Sequence, residues 1–190
     1  MKKSLLILLC LSLSYFLNAQ ETEKQKEIGI VINNLDNFGI TYKIGTEKSL
    51  WRFNTLFLSG NNRDHDTESY NRLGFGIGLG KEYRKGITDK LELRFGADLS
   101  FIYTQLKYDY DDRIEEYTEY NPGIYLVFGF NFLLKDNFII GAEILPDISY
   151  STGVINEKYL DDGTEVKTNF SGFNYGLSNN SALLSFAYRF

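Results

Sequence analysis

The chain holds one cysteine, Cys10, and it lies in the N-terminal segment. Residues 20–190 contain none, which excludes disulfides and cysteine-based metal sites from that stretch. Proline occurs twice and tryptophan once among 190 residues. No apolar run beyond the first 17 residues is long enough for a transmembrane helix, and mean hydropathy is -0.25. Positive charge is also short, with 20 Lys and Arg against 25 Asp and Glu. That balance argues against nucleic-acid binding, which needs basic patches to neutralise phosphate.

The chain is instead rich in aromatic residues, 15 Phe and 14 Tyr. Such usage with little proline suits an all-β protein. A barrel strand needs about ten residues and buries one face in lipid, so average hydropathy does not reveal it.

The N-terminus reads as a secretory signal peptide over residues 1–19. Lys2 and Lys3 are followed by a mostly apolar Ser4 to Leu17, then Asn18, Ala19 and Gln20, with cleavage expected after Ala19. Leu8 and Leu9 before Cys10 lack the small residue of a lipoprotein signal. Without Lys2 and Lys3 the balance is 18 basic to 25 acidic residues, a net charge of -7. A short polar lead, 20–26, precedes a single domain, 27–190.

That domain reads as eight strands. They start at about Glu27, Phe38, Leu50, Leu73, Leu91, Gly123, Phe138 and Ala182. The fourth, to Arg84, sets Leu73, Phe75, Ile77 and Leu79 against Gly74, Gly76, Gly78, Gly80, Glu82 and Arg84. The fifth, to Tyr103, sets Leu91, Leu93, Phe95, Leu99 and Phe101 against Glu92, Arg94, Gly96, Asp98 and Ser100. The turns after strands two, four and six are short. Long polar loops are expected over Gly60 to Arg72, Asp109 to Pro122 and about Ile155 to Phe173. Tight turns at one rim and long loops at the other are the outer-membrane barrel pattern, although the first loop, Asn34 to Asp36, is short.

A lipocalin-like soluble barrel alternates too, with its apolar face inward. Glycines and balanced charges decide between them. The polar face carries Lys43, Arg52, Arg84, Arg94 and Arg189 against Glu82, Glu92, Asp98, Glu143 and Asp147. An enclosed face must be electrically neutral, and glycine leaves room there for long charged side chains. This face is therefore expected to line a lumen, and the aromatic face to meet lipid. Trp51, Tyr42, Tyr83 and Tyr188 fall where an interfacial girdle would lie. Eight strands enclose a space that side chains fill, so the charges are expected to interlock and block a diffusion pore.

The last strand places Leu184, Phe186, Tyr188 and Phe190 on one face, and the chain ends on that Phe. This ending resembles the C-terminal signature of bacterial outer-membrane barrels, which implies recognition by the barrel-assembly machinery. With the strand and loop count, the chain resembles the small eight-stranded OmpA/OmpX-type barrels, the single-barrel OmpX-like form above all. The signal ending in Asn-Ala-Gln and the Tyr, Phe and Asn usage resemble Bacteroidetes members. The resemblance implies an all-β, antiparallel, up-and-down transmembrane β-barrel, monomeric, in the outer membrane of a Gram-negative cell.

The expected role is non-enzymatic: structural, or binding an external partner through the loops, with outer-membrane lipid as surroundings and no cofactor or metal. Three rivals stand beside it. Outer-membrane deacylases use a Ser-His-acid arrangement, and His65, the sole histidine, has Ser59 and Ser69 nearby. A narrow pore and a soluble periplasmic ligand-binding barrel are the others. Gly74 to Gly80 repeats at a spacing of two, with no following helix, and so reads as strand packing rather than a phosphate loop. Asp109, Asp111, Asp112, Glu115, Glu116 and Glu119 match no calcium-loop spacing and read as a solvated surface. Tyr108, Tyr110, Tyr117 and Tyr120 either support contact with a partner or extend strands above the membrane.

Overall fold

Side chains alternate because nearly all of the described chain is strand. The computed structural model describes residues 24–34, 37–65, 68–134, 137–177 and 182–190. The signal segment lies outside the described residues. The described residues form ten strand segments in order. They are β1 (Gln25–Asn34), β2 (Asn37–Thr46), β3 (Ser49–His65), β4 (Glu68–Thr88), β5 (Leu91–Tyr110), β6 (Arg113–Leu133), β7 (Phe138–Ile144), β8 (Asp147–Tyr159), β9 (Glu165–Gly176) and β10 (Ala182–Arg189). β1 to β7 and β10 pair in sequence, each antiparallel to its neighbours, and β10 pairs with β1. The result is an eight-stranded closed ring.

Closure is completed by the last residue. The Phe190 N–H donates to Lys26 O at 2.9 Å, and the Lys26 N–H donates to Phe190 O at 3.1 Å. β1 thus begins two residues inside the expected polar lead. At one rim the turns are tight: Glu47–Lys48 joins β2 to β3, and Asp89–Lys90 joins β4 to β5. Thr88 Oγ1 accepts from the N–H groups of Lys90 and Leu91, holding the second turn without glycine.

At the other rim the expected long loops are mostly strand. β4 and β6 each run 21 residues and β5 runs 20. A membrane crossing takes about 9–11, so roughly half of each strand projects beyond it. The acidic stretch Asp109 to Pro122 is not a loop, since β5 reaches Tyr110, β6 starts at Arg113, and Asp111–Asp112 alone turn the chain. Ile155 to Phe173 is likewise a hairpin of β8 and β9. Gly163, at φ 72°, takes the left-handed position of its turn, which glycine adopts without steric cost.

The expected seventh strand is split into β7 and β8 at Leu145–Pro146. Pro146 has no N–H to give the ladder, yet its carbonyl accepts from the Leu126 N–H at 2.8 Å, so β6 runs past the break. The upper parts of β3, β4, β5, β6, β8 and β9 form an open sheet above the ring. Among the described residues, β9 pairs with β8 alone, and β3 beyond Phe57 pairs with β4 alone. The short β1–β2 hairpin leaves the gap between these two edges.

Two faces of opposite character result. Leu99 is 66% exposed while its neighbour Asp98 is 1% exposed. Phe, Leu, Ile and Tyr side chains cover the outside on every ring strand. A soluble monomer does not expose so large a continuous apolar surface. Its aromatics form two bands. Tyr83 stacks on Phe95 near the tight turns, and Phe75, Phe101, Tyr103 and Tyr120 cluster near the other rim. Eight residues separate Tyr83 from Phe75, about 27 Å along the strand and about 20 Å after a tilt near 40°. That spacing suits the apolar band of a bilayer.

Candidate functional site

The interior is built from inward positions of all eight ring strands. Period two sends Glu27 (β1), Lys43 (β2), Arg52 (β3), Glu82 and Arg84 (β4), Glu92, Arg94 and Asp98 (β5), Glu143 (β7) and Arg189 (β10) to the same side. β6 adds Asn131, whose Nδ2 donates to Glu92 at 3.2 Å.

These ten charged groups form one connected set. Glu82, fully buried, accepts from Lys43 Nζ at 2.7 Å, Arg52 Nη1 at 2.9 Å and Arg84 Nε at 2.6 Å. Arg84 reaches on to Glu27 through both terminal nitrogens, at 2.7 and 2.6 Å. Arg189 joins Glu27 at 2.9 Å to Glu92 at 3.1 Å. On the other side Arg52 forks onto Glu143, at 3.1 Å for each bond, and its Nε lies 3.3 Å from Asp98. Arg94 lies 3.2 Å from Glu143. Five cations meet five carboxylates, so the enclosed set is neutral. Charge removed from water is tolerated only when paired and hydrogen-bonded in this way.

Glycine makes the room. A Cβ on Gly80 would strike Asp98 Oδ1 and the Ala97 carbonyl, and one on Gly141 would crowd Ser185 Oγ, Arg94 Nη2 and Asn131 Oδ1. Buried apolar residues fill the rest: Leu50, Val127, Ile139 and Leu145 are each at most 3% exposed. Above the charges the inward groups turn neutral and polar. Thr41 Oγ1 donates to Asn54 at 2.7 Å, and Asn121 and Asn174 both donate to Ser151 Oγ.

Nine of the ten charges expected on this face are in the set. Asp147 stands apart. It has inward parity, but it follows the Pro146 break, accepts from Ser149 Oγ at 3.2 Å, and makes no ion pair among the described residues. Glu27 takes its place. Its signal was readable, since it alternates with Ile28 and Ile30 and faces Lys43 in register.

The four outward residues of the last strand, Leu184, Phe186, Tyr188 and Phe190, are 41–57% exposed. Tyr188 packs edge-on against Phe138 at 5.2 Å and beside Phe190 at 6.3 Å. His65 ends β3 in register with Glu68, but its side chain and that of Ser59 lie outside the described residues. The Ser69 hydroxyl donates to Asp109 at 3.3 Å.

The projecting sheet carries aromatic and acidic groups. Tyr117 stacks flat on Phe170 at 5.1 Å and donates its hydroxyl to Glu119 at 2.8 Å. Burial first, then the Glu119 carboxylate, pushes the Tyr117 phenol up to about 12. Tyr70 packs on Tyr108, and Arg113 sits 4.8 Å over the Tyr110 ring. The expectation that these tyrosines extend strands describes their placement.

This geometry is that of a known architecture. The structure is similar to the crystal structure of a major outer membrane protein from Thermus thermophilus, with a TM-score of 0.58 at 11% identity, over 88% of this chain and 100% of that one. It is also matched to Ail, the attachment invasion locus protein of Yersinia pestis, at TM-score 0.46 and 15% identity, over 90% and 100% of the two chains. The N-terminal β-barrel domain of Pseudomonas aeruginosa OprF matches at TM-score 0.37 and 15% identity, again over 90% and 100%. Of these three, the Thermus protein superposes well enough to bear on the fold. No protein-family profile matches the sequence. No curated protein matches it either. The fold is that of the small outer-membrane β-barrels: all-β, antiparallel and closed by eight strands.

Proposed function

We propose that this chain is a monomeric outer-membrane barrel with a plugged interior, acting without catalysis as a structural element or as a surface-interaction protein through its projecting sheet. The tight turns and both termini face the periplasm, and the sheet faces the exterior. The observation that carries this reading is the neutral set of ten linked charges inside a wall that is apolar outside. Lipid is the medium that this exterior suits, and ion pairs tied to seven of the eight strands support a lumen filled by side chains rather than a diffusion pore. The C-terminal strand serves as the recognition segment for the barrel-assembly machinery, and the projecting sheet meets an external partner.

Two measurements test it together. The protein is expected in the outer-membrane fraction, migrating differently on gels before and after heating. In planar bilayers it is expected to give no large, stable conductance steps. Recovery as a freely soluble species overturns the membrane assignment, and stable conductance steps overturn the plug.

A further inference from the structure

We propose that the outward face of β3 and β4 at the tight-turn rim binds the phosphate headgroup of an anionic phospholipid in the periplasmic leaflet, through Trp51, Lys81 and Lys85. This inference rests on the orientation given under the proposed function.

Lys81 pairs in register with Trp51 on β3. Its Nζ lies 4.8 Å from the centre of the Trp51 ring, and Trp51 is 41% exposed. The lysine stem thus runs along an apolar wall while the ammonium is held against an aromatic face at the edge of the belt. Lys85 follows on the same face of β4, four residues nearer the rim and exposed. Tyr83 lies between them, stacked on Phe95 at 5.7 Å and 23°, with 47% of its surface exposed. Two cations therefore flank a phenol along one outward face of β4 at the tight-turn rim.

Among the described residues neither lysine makes an ion pair. Outside the lumen, the ion pairs among the described residues are Lys107–Asp109, Arg113–Asp112 and Lys158–Glu165, all on the projecting sheet. At the tight-turn rim the described charges outside the lumen are Lys24, Lys26, Lys48, Lys81, Lys85 and Lys90 against Glu47 and Asp89. Among the described side chains this collar has an excess of four positive charges, on a chain whose net charge is -5. Such a collar complements a leaflet surface bearing phosphate. A lumen-facing role is ruled out for Lys81 and Lys85, whose parity is that of Leu79 and Tyr83.

Trp51 is the sole tryptophan, so its emission reports this patch alone. The folded protein is reconstituted in phosphatidylcholine vesicles, and brominated phosphatidylglycerol or brominated phosphatidylcholine is titrated in. Brominated phosphatidylglycerol is expected to quench Trp51 with about a threefold to tenfold preference over brominated phosphatidylcholine. The preference is expected to fall close to one in the Lys81→Gln/Lys85→Gln variant. It should fall likewise in the unchanged protein as salt rises to about 0.5 M, which screens the pairing without any substitution. Equal quenching by the two lipids, or a preference that survives either change, overturns the headgroup site while leaving the barrel reading intact. No quenching by either lipid shows that Trp51 does not face acyl chains, and overturns both.

Discussion

Replacing Glu82 by Gln removes one charge from the centre of the lumen without changing its shape. The carboxylate is fully buried and accepts three bonds, from Lys43, Arg52 and Arg84. The amide keeps one acceptor oxygen and turns an N–H₂ toward a cation. Five cations then face four carboxylates, with Lys43, Arg52 and Arg84 buried around the lost charge. Removing one partner of a buried ion pair costs about 3–5 kcal/mol, and bonds to charged groups are worth about 1.5–3 kcal/mol each, so a loss near 4 kcal/mol is expected. Adding Lys43→Met leaves four of each sign. The double variant should then lie within about 1.5 kcal/mol of the original, at least about 2.5 kcal/mol more stable than Glu82→Gln alone, and the coupling in a double-mutant cycle exceeds that difference by the cost of Lys43→Met on its own. Urea unfolding of the detergent-folded barrel measures it, with Trp51 emission and heat-dependent gel migration as probes. A loss below about 1 kcal/mol for Glu82→Gln, or a double variant no more stable than the single, refutes the view that these charges form one sealed, neutral set.

Gly80→Val should cost about 1–3 kcal/mol by overpacking against Asp98 and the Ala97 carbonyl, whereas Gly86→Val, with open space around it, should stay within about 0.5 kcal/mol. Equal midpoints in urea for these two variants contradict the packing argument. Phe190→Ser keeps the backbone bonds to Lys26 and should refold in detergent with less than about 1 kcal/mol lost, yet assemble poorly in cells. Normal assembly in a membrane fraction removes the terminal Phe from the recognition role. In the β8–β9 turn, bonds from the Thr164 side chain and backbone hold the Asp162 carboxyl below its ordinary range. A lowered carboxyl stabilises the turn above the ordinary aspartate range and stops doing so as pH falls through its lowered value. The Thr164 amide resonance should therefore titrate below the usual aspartate range, and titration within that range contradicts the bond.

Period two made the ring strands readable, because one face is apolar throughout. On β4 and β5 alternation alone separated the two faces. The projecting halves were not readable as strand in the same way. Glu115, Glu116, Thr118 and Glu119 are polar on both faces because both faces meet water there, so no apolar period survives. Pairing with a neighbour, not composition, makes them strand. Asp147 shows a second gap. Parity gives a residue's face but not its height, and height follows from register and from the break at Pro146. Glu27 alternates with Ile28 and Ile30, but its place among the charges follows from its register opposite Lys43, which pairing supplies.

Orientation of the wall is tested most directly by nitroxide labels on the outward positions Leu93, Leu99, Ile124 and Leu126. Residues 20–190 have no cysteine, so each site is labelled alone in the reconstituted barrel. Labels there should collide readily with oxygen and poorly with a water-soluble nickel complex, most strongly so midway between the aromatic bands. Ready collision with the nickel complex at these positions would mean that water, not lipid, covers the apolar face.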